Sequence, residues 1–144
     1  MLIPIGSDHA GFALKTKIIS YLIEKGYQID DKGCYNEDSI DYADYAHPVA
    51  SLIENNKGMK GILLCGSGNG INMTANKHQG VRSALCWSAE IAKLAREHND
   101  ANILTLPARF LTDEEALQIV DVFFNTEFEG GRHQKRIEKI PCLY

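Results

Sequence analysis

Short strand-like segments alternate with amphipathic, helix-like segments along the whole chain. Five segments have the length and the apolar or alternating content that strands require. They are Leu2–Ser7, 27–30, Gly61–Cys65, 82–86 and 102–106. After the first of them, Leu14, Ile18 and Leu22 recur at i, i+4 and i+8, which is typical of an amphipathic helix. The alternation predicts an α/β fold: a parallel sheet with helices on both faces and a C-terminal helix over about residues 133–140.

Local signals mark the ends of several helices. The first helix is expected to end at Gly26, because glycine is common just beyond the last helical turn. A second helix is predicted over about residues 45–55. Ser88 is a candidate N-cap for the helix that follows the fourth strand. Thr112 begins the sequence TDEE, which fits a capping box and predicts another helix directly after it.

Composition narrows the class of protein. The 144 residues are 44% hydrophobic and 24% charged, so we expect a single globular domain, 1–144, with one core. The net charge of -4 gives no reason to expect nucleic acid or an anionic membrane as a partner. No apolar run approaches the roughly 18 residues that span a bilayer. Residues 1–5 lack the basic lead and cleavage site of a signal peptide, so a cytoplasmic protein without disulfides is expected.

The four cysteines give one candidate for chemistry. None of them forms a CxxC pair, so zinc ribbons and thioredoxin-like redox chemistry are poorly supported. Cys86 lies in an apolar segment and is predicted to be a core residue, and Cys34 and Cys142 are interpreted as loop and tail residues. Cys65 differs because it ends an apolar strand and directly precedes a glycine-rich turn.

That turn, GSGNG, consists of Gly66, Ser67, Gly68, Asn69 and Gly70. Its glycines let backbone N–H groups point at an anion, and we expect these amides and the following helix to favour the thiolate of the preceding cysteine. The spacing is not GxGxxG, the turn follows the third strand, and no GK[ST] ending is present, so a dinucleotide or nucleoside triphosphate loop is weakly supported.

Ligands of open parallel sheets bind beyond the carboxyl ends of the strands. Asp8 and His9 follow the first strand and Arg109 follows the fifth, so we expect them to face a ligand, although an N-cap role for Asp8 is the alternative. His98 and Asn99 precede the fifth strand and should lie at the opposite edge. On their own they are explained by a helix C-terminus, where the dipole favours histidine.

A basic cluster, GGRHQKR at residues 130–136, stands out in this acidic chain. Arg132 and Arg136 are four residues apart, on one face if the segment is helical, and two guanidinium groups on one face suit a phosphate. A solvated basic tail is the alternative interpretation.

Five motifs occur in order along the chain. They are GSDHAG at 6–11, CGSGNGI at 65–71, ANK at 75–77, REHNDAN at 96–102 and GGRHQKR at 130–136. Together they resemble type B ribose-5-phosphate isomerases, the family that also contains bacterial galactose-6-phosphate isomerase subunits. The resemblance implies interconversion of ribose 5-phosphate and ribulose 5-phosphate without a metal or organic cofactor. It also implies a Rossmann-like three-layer α/β/α fold with five parallel strands, and a homodimer, able to pair into a tetramer, with active sites at the subunit interface.

The resemblance assigns roles to individual residues. Cys65 corresponds to the catalytic base of the cysteine-type members, and Ile71 stands where other members carry a glutamate. Ser67, often threonine in the family, and the loop amides would hold the enediolate oxygen. His98, from the partner chain, would protonate the ring oxygen, and Asp8 would hold sugar hydroxyls or assist ring opening. The remaining implied contacts are His9, Arg109, Arg132 and Arg136 to the phosphate and Asn99 to the sugar.

Two other functions remain open from the sequence. An isomerase of 6-phosphohexoses, such as allose or galactose 6-phosphate, would use the same chemistry in a longer pocket. A nucleotide-binding Rossmann-like module would show nucleotide affinity and no dependence on Cys65, but it leaves the other motifs unexplained.

Overall fold

A computed structural model describes residues 1–142 and contains one parallel sheet of five strands. The strands are β1 (Leu2–Ser7), β2 (Gln28–Asp31), β3 (Gly61–Cys65), β4 (Ser83–Leu85) and β5 (Ile103–Pro107). The helices are α1 (Phe12–Glu24), α2 (Tyr42–Asn55), α3 (Asn69–Ala75), α4 (Ala89–Asn99), α5 (Asp113–Asn125) and α6 (Arg132–Ile137). The strand order is β2-β1-β3-β5-β4, and every neighbouring pair is parallel.

The predicted α/β class, its five parallel strands and its C-terminal helix are confirmed. The bounds of β1 and β3 agree with the prediction, and the other three strands differ by one residue at their ends. Helix α2 begins at Tyr42, before the predicted start near residue 45, because its first four residues include no buried side chain and so give no apolar periodicity. Helix α6 ends at Ile137 and is shorter than predicted. The predicted caps are present: Ser88 accepts a hydrogen bond from the Ile91 N–H, and Thr112 forms a reciprocal capping box.

Two clusters of buried side chains fill the space between the sheet and its helices. Helices α1, α4 and α5 cover one face, and α2 and α3 cover the other. Because side chains alternate along a strand, Ile62 and Leu64 of β3 enter the first cluster, while Leu63 and Cys65 enter the second. The thiol of Cys65 is therefore directed to the side of the sheet that α2 and α3 cover.

The chain changes direction across the sheet between β1 and β3, and this change creates the crevice in which ligands of such folds bind. From β1 the chain adds β2 on one side, and from β3 it continues to β4 and β5 on the other. The residues that follow the two central strands are neighbours, since the Asp8 N–H donates to the Leu64 carbonyl at 3.0 Å. Within residues 1–142, no helix is long and apolar enough to cross a membrane.

All four cysteines lie in the described part of the chain and are free thiols. Cys86 is fully buried in the first cluster, as predicted. Cys34 lies in the loop between β2 and α2, also as predicted, but it is buried there, and its Sγ donates to the Asn36 carbonyl. Cys142 is exposed.

Candidate active site

Asp8 directly follows β1, Cys65 ends β3, and the two lie side by side at the carboxyl edge of the sheet. Asp8 is 6% exposed, and its Oδ1 accepts from the Gly11 N–H at 3.0 Å, where it caps a short 3-10 turn. The N-cap role and the position at the site coexist, because the cap uses only one carboxylate oxygen. The carboxylate is therefore fixed beside the thiol.

The surroundings of Cys65 favour the protonated thiol in a single chain. The residue is 7% exposed, and this burial is the largest cause of a raised thiol pKa. The negative charge of Asp8 raises the pKa further, whereas the N–H groups of Gly68 and Ile71 lower it. The amides of Gly68 and Ile71 thus act in the predicted direction, toward the thiolate, but in the isolated chain burial outweighs them.

Two of the loop glycines lie in close contact with neighbouring elements. Gly68 has a φ of +79°, and a Cβ there would lie 2.4 Å from Cδ1 of Leu85, so both backbone and space require glycine. A Cβ on Gly70 would lie 2.4 Å from the ring of Tyr42, the first residue of α2. The loop is thus held between β4 and α2, and that packing directs its amides toward the sulfur.

Arg109 lies on the loop as the sequence predicts. Its N–H donates to the Gly66 carbonyl at 3.0 Å, and its guanidinium covers Gly66 closely, with Nη1 3.2 Å from where a Cβ would be. Ser67 is exposed, and its Oγ accepts from the Asn69 N–H at 3.3 Å. Of the loop amides expected to hold an oxyanion, that of Asn69 is therefore already used, and the Ser67 hydroxyl proton is left as a donor.

His9 faces the same edge, and its hydrogen bond assigns its tautomer. Its Nδ1 accepts from the Ile40 N–H at 3.3 Å, so the proton of the neutral ring is on Nε2. The loop between β2 and α2 thus fixes the ring and leaves an Nε2–H donor for a ligand.

The remaining predicted site residues form a second group at the amino edge of the sheet. His98 and Asn99 end α4, and His133 of α6 stacks on His98 with ring centroids 4.3 Å apart and planes inclined by 12°. Arg132 and Arg136 are exposed on α6. Burial is the main cause of a lowered pKa at His133, and the nearby charges of His98, Arg132 and Arg136 lower it further. The structure therefore brings the arginine pair and His98 together.

The two groups are separated within one chain. His98 and Asn99 precede β5, whereas Arg109 follows it. A five-residue strand is about 17 Å long, more than a pentose phosphate spans. As the sequence predicts, one chain cannot bring His98 to its own Cys65. The predicted phosphate contacts are divided in the same way: His9 and Arg109 lie at one edge, and the two α6 arginines at the other.

One trio at the amino edge has the composition of a metal site. His98, Glu129 and His133 offer ligand atoms that all lie within 4.8 Å of one another. The two rings are nearly parallel, however, and the lone pairs of ring nitrogens lie in the ring planes, so they do not converge on one ion. The other two residues instead contact His133. The His98 ring stacks on its ring, and a Glu129 carboxylate oxygen is 3.6 Å from its Nε2.

Comparison with known proteins identifies the family. A model described as "Ribose/Galactose Isomerase" matches residues 3–140. The chain belongs to this family. Its relative in Escherichia coli, ribose-5-phosphate isomerase B, is 41% identical over 141 residues, which are 98% of this chain and 95% of that protein. The resemblance drawn from the five motifs is therefore confirmed.

Solved structures of the family have the same fold. A ribose 5-phosphate isomerase from Thermotoga maritima matches with a TM-score of 0.95 and 51% identity, over 97% of both chains. Ribose-5-phosphate isomerase B from Mycoplasma genitalium, solved with bound ribulose-5-phosphate, matches with a TM-score of 0.93 and 47% identity, over 96% of this chain and 93% of that one. The Rossmann-like α/β/α architecture is confirmed.

Two residues of the site were missed from the sequence. His133 was noticed only as part of a basic cluster, although its spacing from Ile137 places both on the buried face of α6, with Arg132 and Arg136 exposed. That i, i+4 spacing was a usable signal. Tyr42 gave no local signal, because its contact with the glycine loop arises only when α2 packs against α3.

Proposed function

We propose that this enzyme interconverts ribose 5-phosphate and ribulose 5-phosphate through an enediolate. The observation that carries the proposal is the buried thiol of Cys65, which lies beside the Asp8 carboxylate and faces loop amides. It lies where the chain changes direction across the sheet, between β1 and β3. The relative from Mycoplasma genitalium binds the ketose product of this reaction. Aldose–ketose isomerisation needs a base, a group that stabilises an oxyanion and an acid that opens the ring. The carboxyl edge of the sheet supplies the first two, and the amino edge supplies the acid.

Cys65 is the proposed base. As the thiolate it removes the proton from C2 of the open-chain aldose, and negative charge develops on O1 as the enediolate forms. A proton moves from O2 to O1, the thiol returns its proton to C1, and O2 becomes the ketose carbonyl. The hydroxyl of Ser67 and the free loop amides are placed to stabilise the oxyanion, where loss of one donor typically costs about 10²–10³ in turnover.

Assembly of two chains provides an acid that the carboxyl edge of one chain lacks. Cys65 lies at the carboxyl edge and His98 at the amino edge, too far apart for one chain to hold both against the same sugar. A second chain could present its amino edge, with His98, Arg132 and Arg136, to the carboxyl edge of the first. We propose a homodimer with shared sites on this ground; its pairing into a tetramer stays a prediction.

The proposed binding contacts follow from the same assembly. The partner's His98 would protonate the ring oxygen with help from Asp8, and the partner's Asn99 would bind a sugar hydroxyl. The phosphate would lie between the Nε2–H of His9 and the guanidinium groups of Arg109, Arg132 and Arg136. Several charge-assisted hydrogen bonds at the unreactive end of the sugar fix the reacting carbons. No metal or organic cofactor is assigned a role, and the proposed location is the cytoplasm.

A 6-phosphohexose isomerase is the second candidate, because the description of the matched family includes galactose. Coupled assays with ribose 5-phosphate, allose 6-phosphate and galactose 6-phosphate distinguish the two. The pentose activity requires the highest kcat/KM for ribose 5-phosphate and its loss in Cys65→Ala. A higher kcat/KM for either hexose phosphate, again lost in Cys65→Ala, would assign the enzyme to hexoses.

A further inference from the structure

A cavity of about 400 Å³ opens at the amino edge of the sheet, and none of the proposed site residues lines it. It lies between the end of α2 with the turn that follows and the segments that precede β4 and β5. Its charged lining residues are Glu54, Lys57, Lys60, Arg82, Arg96 and Asp100. Four cations and two carboxylates therefore face one concavity in a chain whose net charge is -4.

The two carboxylates are already engaged by protein donors. Asp100 accepts from Arg96 Nη1 at 2.8 Å through Oδ1 and from Arg82 Nη2 at 3.3 Å through Oδ2. Glu54 accepts from the Gly80 N–H at 3.0 Å through Oε1, and its Oε2 is 3.1 Å from Nδ1 of His78. Both carboxylates are thus hydrogen-bonded to groups other than the two lysines.

The cavity therefore keeps unpaired positive charge. Among residues 1–142, neither Lys57 nor Lys60 has a carboxylate within ion-pair distance. Within the same range, Arg82 donates only through Nε and Nη2, and Arg96 only through Nε and Nη1, so each guanidinium has one terminal nitrogen without a protein acceptor. These are donors of the kind that bind phosphate oxygens.

The surroundings of Lys60 lower the pKa of its ammonium group. The residue is partly buried, and burial is the largest cause of the lowered pKa. The charge of Arg96 lowers the pKa further, while Glu127 and Asp100 act in the opposite direction. A bound dianion would offset both the desolvation and the repulsion.

We propose that this cavity is a second anion site, which binds a phosphate dianion or the phosphate group of a small monoester. A volume of about 400 Å³ has room for a phosphate with a short organic substituent. The two lysines and the free nitrogen of Arg82 supply the donors, and Arg96, which is 3% exposed, adds positive charge. Binding there does not depend on the proposed reaction.

The site is connected to the amino-edge group through Arg82. Its Nε donates to the carbonyls of both Asn99 and Asp100, each at 3.0 Å. An anion that draws this guanidinium toward the cavity therefore pulls on the turn that carries Asn99 and follows His98.

Titration of the ¹⁵N-labelled protein with inorganic phosphate tests the proposal residue by residue. The amides of Gly58 and Gly80 report on the cavity, and those of Gly68 and Gly70 report on the proposed active site. We expect a saturable shift at Gly58 and Gly80, whose apparent Kd rises about tenfold or more in Lys60→Met, since a charge-assisted hydrogen bond is lost. A parallel titration with glycerol 3-phosphate distinguishes a preference for monoesters from a preference for the free ion.

Matched variants keep the result interpretable. Lys60→Arg preserves the charge and should preserve binding, and Lys17→Met removes an exposed lysine on α1 and should leave the Kd unchanged. The absence of a saturable shift at Gly58 and Gly80 in the wild type overturns the proposal, and so does a Kd that Lys60→Met does not alter. Either result leaves the proposed isomerase intact, because Gly68 and Gly70 are followed separately.

Discussion

The rings of His98 and His133 stack at 4.3 Å, although both can carry a proton. Two stacked imidazolium ions repel each other, and Arg132 and Arg136 add further positive charge beside the buried ring of His133. Glu129 acts the other way but lies at 3.6 Å and is mostly exposed. Protonation of the buried ring is therefore disfavoured. We infer that His133 is a neutral imidazole and that, in this form, it holds the His98 ring by stacking.

This relationship predicts how stability depends on pH. The pKa of His133 is lower in the folded chain than its ordinary value near 6.5, so the unfolded chain binds the extra proton first. The free energy of unfolding should therefore fall as the pH drops from about 7 toward 5. In His133→Gln this part of the slope should be shallower, as measured by urea denaturation at several pH values. An unchanged slope would contradict the assignment.

The proposed base gives the second prediction. Cys65→Ala should lower kcat for ribose 5-phosphate by about 10²–10⁴, the range that general-base catalysis supplies. Because the side chain is small and lies at the end of β3, the far-ultraviolet circular dichroism should not change. Cys142→Ala, at the exposed cysteine near the C-terminus, is the matched control and should keep full activity. Near-normal turnover in Cys65→Ala would reject Cys65 as the base.

Two glycines of the same loop should respond differently to alanine. Gly68→Ala forces a φ of +79° on a side chain that also meets Leu85, so the free energy of unfolding should fall by about 1–2 kcal/mol or more. Gly70→Ala meets only the end of the Tyr42 ring, and Tyr42 is 43% exposed and can move aside. Since alanine is also the better helix former, the free energy of unfolding of Gly70→Ala should change little. Urea denaturation of both variants tests this, and equal losses would refute the packing argument.

The phosphate contacts give a kinetic prediction. Arg136→Ala should raise KM for ribose 5-phosphate by about 10–100-fold, with a smaller change in kcat, since the contact is made at the unreactive end of the substrate. Lys135→Ala is the matched control, because it removes an exposed cation from the adjacent position of α6. Steady-state kinetics of both variants decide the point. A KM that is unchanged in Arg136→Ala, or raised equally in both, would remove Arg136 from the phosphate site.

Features that depend on chain order were predictable from the sequence. The apolar run before Cys65 set the bounds of β3, and the position of His98 before the fifth strand placed it at the far edge. Features that depend on packing between distant segments were not. The pKa of Cys65 is set by burial under α2 and α3, which no local motif reports. The cavity charge arises where Lys60, just before β3, comes near Arg96 of α4, and the two are far apart in the sequence.

The division of the site between two edges makes the last and most direct prediction. A dimer of Cys65→Ala and His98→Asn chains has one site that lacks both groups and one that retains both. In a twofold dimer formed by unfolding and refolding the two inactive variants together, half of the dimers are mixed, so about a quarter of wild-type activity should return.

The matched mixture is Cys65→Ala with Asp8→Asn. These two positions lie at the same edge of one chain, so every site of the mixed dimer carries one defect and no activity should return. Coupled isomerase assays of both mixtures, alongside each variant refolded alone, measure the difference. If His98 instead served the Cys65 of its own chain, both mixtures would remain inactive, because every site of each mixed dimer would then carry one defect.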